Sequence, residues 1–210
     1  MIRIDNITKS YGEKILFSDF SEEIKQSEIC AIMGESGSGK TTLLNIIGSL
    51  DSPDSGKLFI DGEEVNPKKN QKLLRYELSF LFQNYGLIDE LTVKKNLQIA
   101  LKYAELGKKR ESEIEKALEQ VGLKDKLNDR IYTLSGGEQQ RVALARTMLK
   151  PNKIILADEP TGSLDEANRD MVLKNLQAQR EEGKTILIVT HDAHVAKSCD
   201  RIIYFNRKKQ

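Results

Sequence analysis

The chain has 210 residues, enough for one sizeable hydrophobic core, because folding of a chain of this length buries roughly 70% of its surface. It carries 33 Lys and Arg against 32 Asp and Glu, a net charge of +1 at pH 7, and 39% of its residues are hydrophobic. These values exclude global disorder and the broad basic surface of a protein whose main partner is a nucleic-acid backbone, so no nucleic-acid partner is expected.

The first 25 residues predict an antiparallel hairpin. The pattern consists of alternating isoleucines, a turn and a second apolar run: Ile2, Ile4, Ile7, Tyr11-Gly12 and 15–20. Alternation with a period of two is typical of strands that bury one face. We therefore expect an N-terminal antiparallel β subdomain.

A continuous apolar run, Ile29–Met33, is typical of a strand that is buried on both faces of a parallel sheet. The residues directly after it, Gly34-Glu35-Ser36-Gly37-Ser38-Gly39-Lys40-Thr41, fit the P-loop pattern G-x-x-x-x-G-K-[ST]. Backbone N–H groups of such a loop point at phosphate oxygens, and a helix that starts near Lys40 adds its positive end. Lys40 would reach the β and γ phosphates, and Thr41 would offer its hydroxyl to Mg²⁺. The alternative is a Gly/Ser-rich turn that caps an ordinary helix.

The segment at about 84–133 changes character, because its apolar residues recur at helical spacing among charged residues. They are Val93, Leu97, Leu101, Ile114, Leu118 and Val121. We expect a mostly helical subdomain there, inserted into a single domain that covers residues 1–210. Its charges are interpreted as a solvated face.

A second glycine-rich helix start follows at Leu134-Ser135-Gly136-Gly137-Glu138-Gln139, with Ser135 as a natural N-cap. A serine cap with turn glycines is the simple interpretation. The other is a second anion cradle, which could bind the same γ phosphate only if it came from elsewhere, for instance from another copy of the chain.

Two acids end the buried apolar run at 154–157, and holding them there without a cation or a polar cleft would be costly. Because neighbouring strand residues point to opposite sides, Asp158 could serve Mg²⁺ while Glu159 polarises a water for attack on the γ phosphate. The alternative is a pair of solvated acids. Further buried strands are indicated at 186–189 and, at an edge, 202–205, and their alternation with helical stretches predicts an α/β fold with a parallel sheet.

The longest apolar run has five residues, whereas a membrane span needs about 20. No apolar segment follows Met1, so we expect neither a transmembrane segment nor a secretion signal. Cys30 and Cys199 form no C-x-x-C pair, which favours two reduced thiols over a disulfide framework. His191 and His194 form an H-x-x-H pattern, but nothing else indicates zinc.

Taken together, these motifs resemble those of the ATP-binding subunit of an ABC transporter. In chain order they are Tyr11, the P-loop at 34–42, Gln83, the signature at 134–139, Asp158-Glu159, Ser163-Leu164-Asp165 and His191. The resemblance covers the whole chain and implies a P-loop NTPase core, with ATP and Mg²⁺ bound. It assigns catalysis to Glu159, His191 and Lys40, and Mg²⁺ to Thr41, Gln83 and Asp158.

The same resemblance implies which residues contact the nucleotide. They are Tyr11, Gly34, Glu35, Ser36, Gly37, Ser38, Gly39, Lys40, Thr41, Thr42, Gln83, Ser135, Gly136, Gly137, Glu138, Asp158, Asp165 and His191. Two copies would pair head to tail on ATP, so that the signature of one copy meets the P-loop of the other. Tyr85 is interpreted as a packing residue or a membrane-subunit contact, and Arg141 and Arg146 as helix residues paired with acids.

The resemblance also implies a separate transmembrane permease subunit and a place on the cytoplasmic face of the cell membrane. The branch it indicates holds macrolide exporters, lipoprotein-release ATPases and bacteriocin exporters, so the expected substrate is a peptide, an antimicrobial or a lipoprotein. An alternative is a regulatory ATPase of the same fold that gates a cell-envelope complex and transports nothing. A DNA-repair or ribosome-associated ATPase of this family is disfavoured because it would need long coiled-coil arms or a second ATPase domain, and the sequence contains neither. A small-molecule P-loop kinase is disfavoured because it gives no reason for the second anion cradle at Ser135.

Overall fold

A computed structural model describes residues 1–162 and 164–205. Its first layer is a four-stranded antiparallel sheet in the order β2-β1-β4-β5. The strands are β1 (Ile2–Tyr11), β2 (Lys14–Ile24), β4 (Ser55–Ile60) and β5 (Glu63–Glu64). The hairpin of β1 and β2 was predicted, but β4 was not, because its first half is polar and exposed.

The second layer is a five-stranded parallel sheet in the order β6-β7-β8-β3-β9. Its strands are β3 (Ile29–Met33), β6 (Leu78–Leu81), β7 (Ile154–Asp158), β8 (Thr185–Thr190) and β9 (Arg201–Tyr204). Ile155 and Ala157 pack on one face of this sheet, and Ile154 and Leu156 on the other. The continuous apolar runs therefore mark strands with both faces covered, as predicted.

Helices cover both faces of the parallel sheet. They are α1 (Lys40–Ile47), α2 (Gln71–Tyr76), α3 (Val93–Ala100), α4 (Arg110–Gln120), α5 (Gly136–Leu149), α6 (Glu166–Glu181) and α7 (Ala193–Lys197). Helices α3 and α4, with several short 3₁₀ turns, account for the helical character of 84–133, and α5 packs against both of them. No helix in the described ranges is long and apolar enough to span a bilayer.

The strand register brings the predicted chemical groups to one edge of the parallel sheet. Met33 pairs with Thr190, and Asp158 pairs with Val189. The chain that leaves β3 is the P-loop, and the chains that leave β7 and β8 carry Glu159 and His191. The carboxyl ends of neighbouring parallel strands are where ligand crevices form in open α/β sheets.

Candidate functional site

The loop between β3 and α1 is wound tightly around the side chain of Lys40. Gly37 and Gly39 have φ angles of 73° and 101°, in the left-handed region that favours glycine. The Lys40 ammonium donates to the carbonyl oxygens of Gly34 at 2.9 Å and Glu35 at 2.7 Å. The loop thus holds a nearly buried cation against two of its own backbone carbonyl groups.

The start of α1 leaves hydrogen-bonding groups open to an anion. Gly39 is the N-cap and provides no side-chain bond to the first turn, which contains no acidic residue. The buried Oγ of Ser38 has no hydrogen-bond partner among the residues that the structure describes. Open helix N–H groups, a buried hydroxyl and the Lys40 ammonium together fit a phosphate group with several oxygens.

Asp158 lies at the end of β7 next to the first turn of α1. It is 7% exposed, and Thr41 Oγ1 donates to its Oδ1 at 3.2 Å. Burial raises the pKa of Asp158 above its ordinary value, and the Thr41 hydrogen bond offsets only part of that effect. A hydroxyl and a carboxylate that are so close are hard oxygen donors of the kind that Mg²⁺ prefers, so these two residues fit such an ion.

Glu159 leaves the strand in a left-handed conformation with φ 46°, which costs a non-glycine residue about 1 kcal/mol or more. Its amide donates to Val189 O at 2.9 Å. Its carboxylate lies 2.7 Å from His191 Nδ1 and accepts from Thr190 Oγ1 at 3.2 Å. Strand β7 ends at Asp158, and both acids line one cavity, so their assignment to Mg²⁺ and to the attacking water stays a prediction.

That cavity has a volume of about 420 Å³ and gathers residues from distant parts of the chain. Its lining contains Tyr11, Leu16, Ser36, Gly37, Gly39, Lys40, Thr41, Thr42, Gln83, Asp158, Glu159, Val189 and His191. All of these residues except Leu16 and Val189 were predicted from the sequence to belong to the site. Of the other P-loop residues, Gly34 and Glu35 accept hydrogen bonds from the Lys40 ammonium through their carbonyl oxygens, and Ser38 is buried.

The signature residues lie elsewhere, at the start of α5. Ser135, Gly136, Gly137 and Glu138 are not among the described residues that line the cavity. Ser135 Oγ accepts from the Glu138 amide at 3.3 Å, and Glu138 Oε2 accepts from the Ser135 amide at 2.8 Å. This reciprocal capping box confirms the predicted N-cap and leaves Ser135 and Gly136 on the surface.

Asp165 lies beside the signature rather than in the cavity. It caps α6 by accepting from the amide and the side chain of Asn168, both at 2.8 Å. Arg141 of α5 donates to the same Asn168 side chain. Leu164 Cδ2 lies 3.6 Å from the position that a Cβ of Gly137 would occupy. Ser163, the first residue of the predicted S-L-D motif, lies outside the described residues.

The segment after Gln83 joins the cavity to α5. Arg146 donates to the carbonyl oxygens of Tyr85, at 2.9 Å, and Gly86. Arg146 was predicted to pair with an acid, but its position against a tight turn gives it carbonyl partners instead. The Tyr85 hydroxyl lies 3.1 Å from the position of a Cβ on Gly136, so Tyr85 connects the segment after Gln83 to the start of α5.

The two histidines have different partners. His191 contacts Glu159, whereas His194 Nε2 lies 3.7 Å from Asp170 Oδ1 on α6. The side chain of His194 is 57% exposed, as expected for a solvated helix residue. The H-x-x-H pattern therefore places its imidazoles in two separate contacts.

Comparisons with known proteins agree with this architecture. A profile of the ABC transporter family matches residues 17–162, so the chain belongs to the ABC transporter family. The ABC transporter ATP-binding protein YknY of Bacillus subtilis is 41% identical over 97% of this chain and 92% of its own length. The macrolide export ATP-binding/permease protein MacB of Campylobacter jejuni is 43% identical over 97% of this chain, which spans only 32% of that protein.

Solved structures of the MJ0796 cassette, from Methanocaldococcus jannaschii, have the same fold. The dimeric structure is 39% identical to this chain, covers 97% of it and 94% of the cassette, and superposes with a TM-score of 0.89. Another MJ0796 dimer, 38% identical, is described as a post-hydrolysis state bound to ADP and Pi. The predicted family, the P-loop NTPase fold and the ATPase class are confirmed, while the roles of individual residues and of Mg²⁺ stay predictions.

Proposed function

We propose that this chain hydrolyses ATP as one half of a head-to-tail dimer and drives a separate transmembrane permease that exports or extracts a peptide, an antimicrobial or a lipoprotein. One observation carries the dimeric part of the proposal. The binding and catalytic groups converge on one cavity, whereas Ser135–Glu138 form a second, exposed helix start outside it. A second copy can bring that helix start to the nucleotide.

In the proposed binding step, the base stacks on Tyr11 and the phosphates lie in the P-loop. The Lys40 ammonium turns from the Gly34 and Glu35 carbonyls to the β and γ phosphate oxygens, and Ser38 and the α1 amides donate to the remaining oxygens. Thr41, Asp158 and Gln83 would hold Mg²⁺, which supplies positive charge that offsets the phosphate oxygens. The proximity of Thr41 and Asp158 supports this assignment.

In the proposed chemical step, Glu159 accepts a proton from a water whose oxygen attacks the γ phosphorus. The bond between that phosphorus and the bridging oxygen breaks, and ADP departs with the electron pair. His191 Nδ1 and Thr190 Oγ1 each hold one oxygen of the Glu159 carboxylate, which keeps it directed at the water. The left-handed backbone at Glu159 supports a functional role, because strain of this kind clusters at active sites.

In the proposed dimer, Ser135 and the amides of Gly136 and Gly137 contact the γ phosphate bound to the other copy. Asp165 supports that contact from the neighbouring α6 cap. The dimeric MJ0796 cassette, which this chain resembles over 97% of its length, supports the pairing. Loss of the γ phosphate would then open the dimer.

The membrane partner is supported by the relatives. MacB is named as an ATP-binding/permease protein, and this chain matches about a third of it. We propose that residues 1–210 form one ATPase domain, that it lies on the cytoplasmic face of the membrane, and that the permease docks in an apolar groove of about 300 Å³ beside the Gln83 segment. Phe80, Phe82, Ile99 and Tyr103 line this groove, and Ile99 is 50% exposed.

The dimeric site is tested by mixing two inactive variants, Lys40→Ala and Ser135→Arg. A heterodimer has one site that carries both changes and one intact site, so mixing should restore up to about a quarter of the wild-type ATPase rate. Each variant alone should be inactive. A mixture no more active than its components would contradict a site shared between two copies.

The permease is tested by affinity purification of the tagged chain from detergent-solubilised native membranes, with mass spectrometry of what is recovered. Ile99→Asp should prevent recovery of a polytopic membrane protein. Ile88→Asp is the matched control, since Ile88 is 48% exposed and lies outside the groove lining. Recovery of soluble partners only, by a chain that still hydrolyses ATP, would favour the regulatory ATPase instead.

A further inference from the structure

The hydroxyl of Tyr11 is anchored by a residue that belongs to none of the motifs. We infer that Asp51, together with Lys9, is a positioning residue that holds the Tyr11 ring as the platform for the nucleotide base. Neither residue lines the cavity within the described part of the chain, so both would act through Tyr11. This inference rests on the proposed function, because it assumes that the cavity binds a nucleotide.

Tyr11 needs such an anchor because it stands at the edge of the cavity. It is the last residue of β1, lines the cavity, and is 55% exposed. An exposed aromatic ring loses side-chain entropy when a base stacks on it, and a ring that is already held loses less. The Tyr11 Oη donates to Asp51 Oδ2 at 2.9 Å, which fixes the far end of the ring.

The Asp51 carboxylate is itself fixed through its other oxygen. Oδ1 accepts from Lys9 Nζ at 2.9 Å and from the Ser52 amide at 2.7 Å, and Lys9 Nζ also donates to Ser52 O at 2.7 Å. The Lys9 side chain is only 9% exposed, and its ammonium lies 5.1 Å from the centroid of the Tyr11 ring. Both oxygens of Asp51 are therefore occupied, and the cation holds both the acid and the ring.

Asp51 also connects the Tyr11 ring to the P-loop, through α1. The amides of Leu50, at 2.8 Å, and Asp51, at 3.3 Å, donate to Asn45 O, so Asp51 continues directly from α1. The other end of α1 is Lys40 in the P-loop. Eight helical residues span about 12 Å, so one short rigid helix sets the separation between the phosphate groups and the base platform.

The test compares a ligand that has a base with one that lacks it. Isothermal titration calorimetry would measure Kd for Mg·ATP and for Mg·tripolyphosphate in the wild type, Asp51→Ala, Tyr11→Phe and the double variant. Each single change should weaken Mg·ATP binding about three- to tenfold, as loss of one hydrogen bond does, and leave Mg·tripolyphosphate binding unchanged. The double variant should bind Mg·ATP no more weakly than the weaker single variant.

The matched control is Asp54→Ala. Asp54 lies in the same loop and accepts from the amide of Ser10 at 2.7 Å and its hydroxyl at 2.6 Å, without a hydrogen bond to Tyr11. It should leave both affinities unchanged. If Asp51→Ala fails to fold, Tyr11→Phe still applies the test, because it keeps the pair of Asp51 and Lys9.

The outcomes separate this inference from the proposed function. Equal loss of both ligands, unchanged Mg·ATP affinity in Tyr11→Phe, or additive losses in the double variant would overturn the role of Asp51 alone. A wild-type chain that binds neither ligand would overturn the proposed function, and this inference with it.

Discussion

Two helices of this protein begin after glycine-rich loops, and their first turns are built in opposite ways. At α1 the N-cap is Gly39, which gives no side-chain bond, and the first turn has no acid. At α5, Ser135 and Glu138 exchange hydrogen bonds across the first turn. The start of α1 lies inside the cavity with a cation folded into it, whereas the start of α5 faces outward with its own cap complete.

This contrast supports the proposal that, within a single chain, the nucleotide binds at the start of α1 and not at the start of α5. The open amides at the start of α1 and the nearby Lys40 ammonium favour an external anion. The capping box at α5 satisfies two of its own groups, so α5 is stable without a ligand and can offer its remaining amides to a partner. A helix start that binds the nucleotide in its own chain and one that acts on another copy should therefore respond differently to substitution.

The largest effect, on the ATPase rate, is expected for Glu159→Gln. This variant should trap a dimer in which the start of α1 of one copy and the start of α5 of the other contact the same nucleotide. Glutamine keeps the shape of the side chain but cannot accept the proton from water, so the ATPase rate should fall about 100-fold or more. ATP should then accumulate between two copies, and light scattering after size-exclusion chromatography should show a stable dimer. Glu166→Gln is the control, because Glu166 is exposed at the start of α6. A Glu159→Gln variant that stayed monomeric at saturating ATP would count against the shared site.

The next largest effect is on the affinity of the monomer for ATP, which should depend on the start of α1 and not on the start of α5. Lys40→Ala removes the buried ammonium at α1 and should weaken ATP binding to the monomer about 10- to 100-fold, as expected for charge-assisted hydrogen bonds. Ser135→Arg at α5 should leave this affinity unchanged and abolish the ATP-dependent dimer. Calorimetry at protein concentrations below the dimerisation range measures both. Weaker binding in the Ser135→Arg monomer would place α5 in the site of its own chain.

The sequence predicts the two helix starts because the residues that form each of them are consecutive in the chain. It does not predict the role of Asp51, since the hydrogen bond to Tyr11 joins residues 40 positions apart and no motif contains Asp51. Strand β6 was missed because it has four residues and contains Ser79, so its apolar signal is weak. The left-handed backbone of Glu159 was not predicted, because alternation along a strand does not anticipate a left-handed residue at its end.

A smaller effect compares two helix caps of the same type. Ser135→Ala removes the cap of α5, and Thr92→Ala removes the cap of α3, where Thr92 Oγ1 accepts from the Lys95 amide. Each should lower the free energy of unfolding by about 1 kcal/mol in urea denaturation. Only Ser135→Ala should also lower the ATP-dependent dimer fraction. Equal dimer fractions for the two variants would mean that the Ser135 hydroxyl only caps α5 and does not contact the nucleotide of the other copy.

The smallest effect is a pH dependence that arises from an acid within the first turn of α5. The backbone amide of Ser135 holds the pKa of Glu138 below its ordinary value, and no acid lies in the first turn of α1. A lowered folded pKa means that the carboxylate stabilises the protein fully above the unfolded pKa and loses that effect as pH falls through the folded pKa. Glu138→Gln keeps an acceptor for the Ser135 amide but cannot titrate.

Urea denaturation of the wild type and Glu138→Gln between pH 3 and 7 measures this difference. At pH 7 the wild type should be more stable by less than about 1 kcal/mol, since a carboxylate near a helix N-terminus contributes that much, and the gap should close as the pH approaches 3. A gap independent of pH would mean that the Glu138 carboxylate does not bond the Ser135 amide in solution. The helix start offered to the partner would then be as open as that of α1, and the contrast between the two would be lost.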